Sequence, residues 1–170
     1  AHKGTFGTVG IIGGAAGMLG AALLAGRAAL QLGAGKVMIG LVDVHDPHLV
    51  DWQQPELMFR PLANLLGVEA VSVLVVGPGL GKSEKARQIL LLALSEAVPL
   101  VLDADALNIL AQFPELQRRL KERSAPTLLT PHPLEASRLL GISVSNVQQR
   151  RIAATLELVQ KFGAYVVLKG

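Results

Sequence analysis

Residues 8–37 read TVGIIGGAAGMLGAALLAGRAALQLGAGKV, and the changes of pattern inside this stretch decide the fold. Val9, Ile11 and Ile12 form a short buried strand, which the doublet Gly13-Gly14 ends. From about Leu19 to Leu32 alanine and leucine recur at helical length; Gly33 and Gly35 then stop the helix, and Lys36 to Leu41 form a second strand. Strand, glycine turn, helix, glycine turn, strand is a βαβ unit. Glycines after the first strand let a ligand approach bare backbone at a helix N-terminus, where unpaired N–H groups and the helix dipole favour an anion. A ligand with phosphates is the first functional expectation.

The same stretch carries no charge from Gly4 through Gly26, which is long enough to cross a bilayer. Its period changes from strand-like to helical midway, however, and a glycine doublet sits where the centre of a spanning helix would be. Each glycine there would cost roughly 1 kcal/mol relative to alanine. No membrane association is assigned. The helix has only Arg27 and Gln31 as polar residues, so it is expected to expose a narrow edge and bury the remainder.

A chain of 170 residues suits a single domain, 1–170. Its abundant aliphatic and scarce aromatic residues suit a parallel sheet flanked by helices. The net charge of +3 comes without any block of like charge, so no nucleic-acid partner is expected. The absence of cysteine excludes a disulfide scaffold and a thiol nucleophile, and agrees with a reducing, cytoplasmic setting.

In chain order, His2-Lys3-Gly4 is a basic opening, and after the second strand Asp43, His45, Asp46, His48 and Asp51 crowd one loop. Such a cluster could ligate a metal, but Pro47 interrupts it and no pair sits on a helical i, i+4 face, so no metal site is assigned. Val71 to Val76 form a continuous buried strand, and Gly77-Pro78-Gly79-Leu80-Gly81 turns into a helix from Ser83 to about Ala97. That turn nearly spells a Walker A loop, yet Val76 stands where its first glycine belongs and Pro78 removes a donor. Pro99 to Leu102 give a fourth strand, followed by Asp103-Ala104-Asp105-Ala106-Leu107-Asn108, in which Asp105 reads as a helix N-cap. The charges of ELQRRLKER read as a solvated helix face. Thr127 to Thr130 form a strand ending in Pro131-His132-Pro133-Leu134-Glu135, where Pro133 suits the first helical position and Glu135 the first turn. His132, held between two prolines, either caps that helix or is aimed at a ligand. A further helix runs to Phe162 with Ser145 as its N-cap, and Ala164 to Leu168 form the last strand before Lys169-Gly170.

Strands alternating with helices imply a mostly parallel sheet, whose ligands bind outside the carboxyl ends of the strands. Gly13-Gly14, Gly77 to Gly81, Asp103 to Asn108, Thr130 to Glu135 and Lys169-Gly170 all fall at such ends. Together they suit an anionic, nucleotide-like ligand.

The stretches HKGTFG, GGAAGMLGAALLAGRAALQLGAGKV, PELM, GPGLG, LDADALN, TPHPLE and VLKG occur in the order and approximate spacing of the ADP- or ATP-dependent NAD(P)H-hydrate dehydratases, and the whole chain resembles that family. The resemblance implies a ribokinase-like three-layer α/β/α fold, α/β in class, with a mostly parallel central sheet and helices on both faces. It also implies nucleotide-driven dehydration of the S-forms of NADHX and NADPHX, the hydrated reduced cofactors, with ADP or ATP as co-substrate and Mg2+ accompanying it. Carried over by position, Ala22, Gly79 and His132 correspond to residues that hold the hydrate, and Lys169 and Gly170 to the start of the loop that grips the adenine nucleotide. Leu134 departs from the family's usual glycine. The family's catalytic aspartate lies in a GTGD motif that occurs nowhere in these residues; no catalytic residue is assigned, and the chain is expected to be a piece that stops ahead of it, leaving an apolar face and a sheet edge bare. A homo-oligomer, in the family a tetramer, and action with or fusion to an NAD(P)H-hydrate epimerase complete the implied picture. The competing readings are a small-molecule kinase of the same fold, a P-loop-like nucleotidase, and a non-catalytic nucleotide-binding module.

Overall fold

The computed structural model describes residues 6–43, 49–67 and 71–170. Its chain runs β1 (Thr8–Gly13), α1 (Leu19–Gln31), β2 (Lys36–Leu41), β3 (Met58–Phe59), a 3-10 turn (Leu62–Asn64), β4 (Val73–Val76), α2 (Glu84–Ser95), β5 (Leu100–Leu102), α3 (Asp105–Gln112), α4 (Pro114–Lys121), β6 (Thr127–Leu129), α5 (Pro133–Leu140), α6 (Val144–Gln149), α7 (Arg151–Phe162) and β7 (Tyr165–Val166). The strands form one sheet in the order β3-β2-β1-β4-β5-β6-β7, and every pairing is parallel. All carboxyl ends therefore lie on one rim. Strand order reverses between β1 and β4, and in open parallel sheets the crevice at such a reversal is where ligands bind.

Alternation along β1 sends neighbouring side chains into different cores. Ile11 joins Ala22, Val37, Ile39, Leu41 and Leu57 beneath α1. Ile12 joins the larger cluster built with Leu74, Val76, Leu100, Leu102 and the buried faces of α2 to α7. The sheet is the middle layer of a three-layer α/β/α sandwich. No helix among the described residues is long and apolar enough to cross a membrane.

Four local expectations change. First, α1 buries only Ala22 and Gly26 fully, while Leu24 and Leu32 stand exposed. Its small residues bring the helix close to the sheet, so the larger leucines on the opposite side face out. Second, the expected helix ending at Phe162 is two helices that meet at Arg150, whose backbone (φ −132°, ψ 50°) is not helical. Its N-cap is Ser143, whose Oγ accepts from Asn146 N at 3.2 Å, and not Ser145. Third, β3 adds an edge strand before the one numbered fourth from sequence. Fourth, the basic run of α4 is not wholly solvated. Arg123 turns inward, donating to the carbonyls of Leu94 (2.7 Å), Glu96 (2.8 Å) and Val98 (2.7 Å) and to Thr127 Oγ1 (3.0 Å). It satisfies carbonyls at the end of α2 that would otherwise lack partners, and its burial lowers the guanidinium pKa from the ordinary arginine value.

Of the crowded loop, His45, Asp46 and His48 lie outside the described residues, as does His2-Lys3-Gly4. Asp43 pairs with Lys85 at 3.1 Å. Asp51 is committed to α1: Arg27 Nε donates to its Oδ2 at 2.7 Å and Nη2 to its Oδ1 at 2.8 Å, a two-pronged contact. Those bonds hold the Asp51 carboxyl below the usual aspartate range, burial opposing them. A carboxylate whose pKa is lowered by folding stabilises the fold fully above its unfolded pKa, about 3.9, and loses that contribution as pH falls through the folded value. Thermal unfolding followed from pH 6 downward should show a fall in melting temperature beginning near pH 4 that is shallower in Asp51→Asn. Parallel curves for the two proteins would mean that the pair does not persist in solution.

Candidate functional site at the carboxyl rim

The rim is assembled by loops that bind one another. Gly14 N donates to Pro78 O at 3.0 Å and Ala15 N to Gly79 O at 2.6 Å, which lays the turn after β1 against the turn after β4. The β4 turn is joined in the same way to the one after β5, because Gly81 N donates to Asp105 Oδ2 at 3.0 Å. Asp103 Oδ1 accepts from Lys169 Nζ at 2.6 Å, and Lys169 N donates to Pro131 O at 2.9 Å, bringing in the ends of β7 and β6. Five loops separated in sequence thus form one continuous rim.

These contacts redraw three expectations. The glycine turns do not stand open as a phosphate cradle: amides of Gly14, Ala15 and Gly81 are spent on protein acceptors, and the resemblance to a Walker A loop ends there. Asp105 is not an N-cap; Ala104 holds that position, and Asp105 in the first turn of α3 anchors the β4 loop. Gly79 has a packing reason to be glycine. Its φ is +63°, and a β-carbon on it would lie 2.6 Å from the Met18 carbonyl oxygen and 2.9 Å from Met18 Cβ.

Ala22 lies beneath this surface, fully buried in α1, and a β-carbon placed on Gly14 would come within 3.1 Å of its methyl. Its side chain shapes the floor under the β1 turn, and direct contact with a ligand is closed to it in this conformation. His132 is the N-cap of α5: its Nδ1 accepts from Leu134 N at 3.1 Å and Glu135 N at 3.4 Å, while Glu135 Oε2 accepts from His132 N at 2.9 Å. This is a reciprocal capping box with Pro133 at the first helical position. With Nδ1 accepting, the proton of the neutral ring belongs on Nε2, 3.3 Å from Glu135 Oε1. Glu135 is buried, whereas the His132 side chain keeps 44% of its exposure, so the imidazole both caps the helix and remains reachable from the rim. Leu134 is exposed beside it, and Gly170 packs near Pro133.

Among the described residues no group of three or more His, Asp or Glu could cage a metal. A magnesium ion here would travel on the phosphate oxygens of a nucleotide, as this reluctantly dehydrated cation commonly does.

A family model described as NAD(P)H-hydrate dehydratase, of the carbohydrate-kinase type, matches residues 9–170. The chain belongs to the NAD(P)H-hydrate dehydratase family. It is 46% identical over 171 residues to the ADP-dependent (S)-NAD(P)H-hydrate dehydratase of Neisseria meningitidis, covering 99% of this chain and 57% of that protein. With the bifunctional NAD(P)H-hydrate repair enzyme Nnr of Coxiella burnetii it shares 45% identity over 174 residues, 100% of this chain and 34% of that one. Among solved structures, the Bacillus subtilis ADP/ATP-dependent NAD(P)H-hydrate dehydratase co-crystallised with ATP/Mg2+ superposes with a TM-score of 0.78 at 31% identity, over 100% of this chain and 60% of that one. The chain thus spans between a third and three fifths of the length of these family members, and the whole rim falls within the matched part.

Sequence reading missed the Gly81 amide as the partner of Asp105 and the Lys169 ammonium as the partner of Asp103. The signal for the second was an aspartate closing a parallel strand on the same rim as a lysine.

Two outcomes follow from the packing. Gly79→Val should lower stability by more than about 1 kcal/mol, since a side chain is forced into a positive-φ site against backbone; an unchanged denaturation midpoint would return Gly79 to a purely ligand-facing role. His132→Ala should cost about 1 kcal/mol through the lost cap, and His132→Asn, which keeps an acceptor, should recover most of it. Equal stability of all three proteins in denaturant titrations would show that the cap contributes nothing.

Proposed function

We propose that this chain forms the hydrate- and nucleotide-facing part of an ADP- or ATP-dependent dehydratase acting on (S)-NADHX and (S)-NADPHX. The observation that carries the reading is the joining of the His132 loop, the β4 turn and Lys169-Gly170 on one parallel-sheet rim. In this reading the terminal phosphoryl group of the nucleotide passes to the ring hydroxyl of the hydrate, leaving AMP or ADP. The ester then departs as phosphate while the neighbouring ring carbon gives up a proton, and the double bond of the dihydronicotinamide returns. His132 and the backbone around Gly79 hold the hydrate, with Ala22 setting the floor beneath. Lys169 and Gly170 meet the nucleotide phosphates, where a lysine acts as a point charge, and a Mg2+ ion brought with the nucleotide offsets further negative charge. Action alongside an epimerase that supplies the S-form belongs to this proposal, and the relatives named as bifunctional NAD(P)H-hydrate repair enzymes are compatible with a second activity beside the dehydratase. Assembly as a homo-oligomer, as a tetramer, and work in the cytoplasm belong to the same proposal.

Calorimetric titration with ADP, ATP and the two (S)-hydrates, followed by an assay for recovered reduced cofactor, tests this directly. Saturable binding of both ligand classes is expected, with hydrate affinity weakened at least several-fold in His132→Asn, a variant chosen to preserve the helix cap. Nucleotide binding with no affinity for either hydrate would instead identify a small-molecule kinase of the same fold.

A further inference from the structure

The geometry points to Asp103 as the positioning residue for Lys169, an aspartate whose task is to hold the lysine ammonium where the phosphates of a nucleotide arrive. This inference rests on the nucleotide reading of Lys169 given above.

The backbone around Lys169 is fixed without help from its side chain. Lys169 N donates to Pro131 O at 2.9 Å, and Arg151 Nη2 donates to the carbonyls of Leu168 at 3.0 Å and Lys169 at 3.3 Å. What remains free is a flexible four-carbon stem, and its ammonium is held 2.6 Å from Asp103 Oδ1, on a loop 66 residues away in sequence. The pair is partly open to solvent, with 42% of the lysine side chain and 30% of the aspartate side chain exposed. Ion pairs so exposed add little to fold stability.

The surroundings nevertheless go to some trouble to place this aspartate. Ala104, directly after it, has φ 52° and ψ −119°, and is the one non-glycine residue with positive φ among the described residues. Such backbone strain persists where neighbouring structure over-determines it, and concentrates at functional sites. Gly77 clears the space: a β-carbon there would lie 1.8 Å from the Asp103 carbonyl oxygen. The Asp103 amide is tied to Val76 O at 3.1 Å. An aspartate whose backbone is anchored by its amide, given room at its carbonyl and followed by a strained Ala104, in a pair that hardly stabilises the fold, is accounted for by the order it imposes on the lysine. Ordering the ammonium in advance removes rotamer freedom that ligand binding would otherwise have to remove.

The expected effect of removing the Asp103 carboxylate is opposite in sign to simple electrostatics. Removing a carboxylate beside a polyanion site relieves repulsion and would by itself tighten nucleotide binding. Asp103→Asn is instead expected to weaken ADP and ATP binding by roughly five- to tenfold, within the range of coupling seen between directly contacting charged residues. Asp103→Glu, which keeps a carboxylate within reach, should recover part of the affinity, and it carries the comparison alone if Asp103→Asn fails to fold. The double variant separates positioning from structure: in a Lys169→Ala background, Asp103→Asn should weaken nucleotide binding no further, and only the relief of repulsion remains. Calorimetric titrations with ADP on the wild type and these four variants decide between the outcomes. Unchanged or tighter binding in Asp103→Asn, or a loss that persists undiminished in the Lys169→Ala background, overturns the positioning role. Wild-type ADP affinity in Lys169→Ala would overturn the nucleotide reading itself, and this inference with it.

Discussion

The contact on which the rim depends is the one between the first and fourth strand turns. Gly14 and Ala15 donate their amides to the carbonyls of Pro78 and Gly79, and a β-carbon at Gly13 would lie only 2.0 Å from the Pro78 oxygen. Backbone meets backbone there because no side chain intervenes. The contact bridges the point where strand order reverses, and it ties down the β4 turn, from which Gly81 reaches Asp105. Asp103, two residues earlier, reaches Lys169. Each loop of the site is positioned by its neighbour, through five short contacts that run from the turn after β1 to the ends of β6 and β7.

That arrangement explains a division of labour among the glycines and charges. Glycine-rich turns at the ends of parallel strands usually offer amides to a phosphate. Here several of those amides are consumed in building the rim, and Lys169 brings a positive charge to it. Charge is arranged in pairs that cross between loops: Asp43 with Lys85, Asp103 with Lys169, and Arg27 with the buried Asp51. Only the last is sheltered from water on its acidic side, and it serves the packing of α1 rather than the rim.

Two residues carry more than one duty. His132 caps α5 through Nδ1 yet keeps its ring accessible, so the groups that hold the helix start also fix the ring. Arg123 bonds several carbonyls at the end of α2 and reaches Thr127 in β6, joining a helix terminus to a strand start. Both side chains satisfy backbone groups at helix ends that would otherwise face the interior or the solvent unpaired.

Periodicity and turn chemistry in the sequence were enough to define the βαβ opening, every strand from β4 to β7, the Pro133 start of α5 and the gathering of five loops at one end of a parallel sheet. These follow from local rules: glycine ends elements, proline begins helices, and parallel strands share a direction. The motif combination from HKGTFG to VLKG identified the family for the same reason, since it resides in the order of residues. What tertiary structure alone decided is which of several chemically reasonable partners each group takes. Arg123 could have faced water, Asp105 could have capped α3, the Gly77–Gly81 amides could have stayed open, and Ala22 could have reached the surface. Each outcome depends on groups 20 or more residues distant or on the close approach of α1 to the sheet, and hydrogen-bond partners at that separation leave no periodic trace in the chain. The pairing of Asp103 with Lys169 is of this kind: both residues are plain in the sequence, and only the parallel sheet brings them to 2.6 Å.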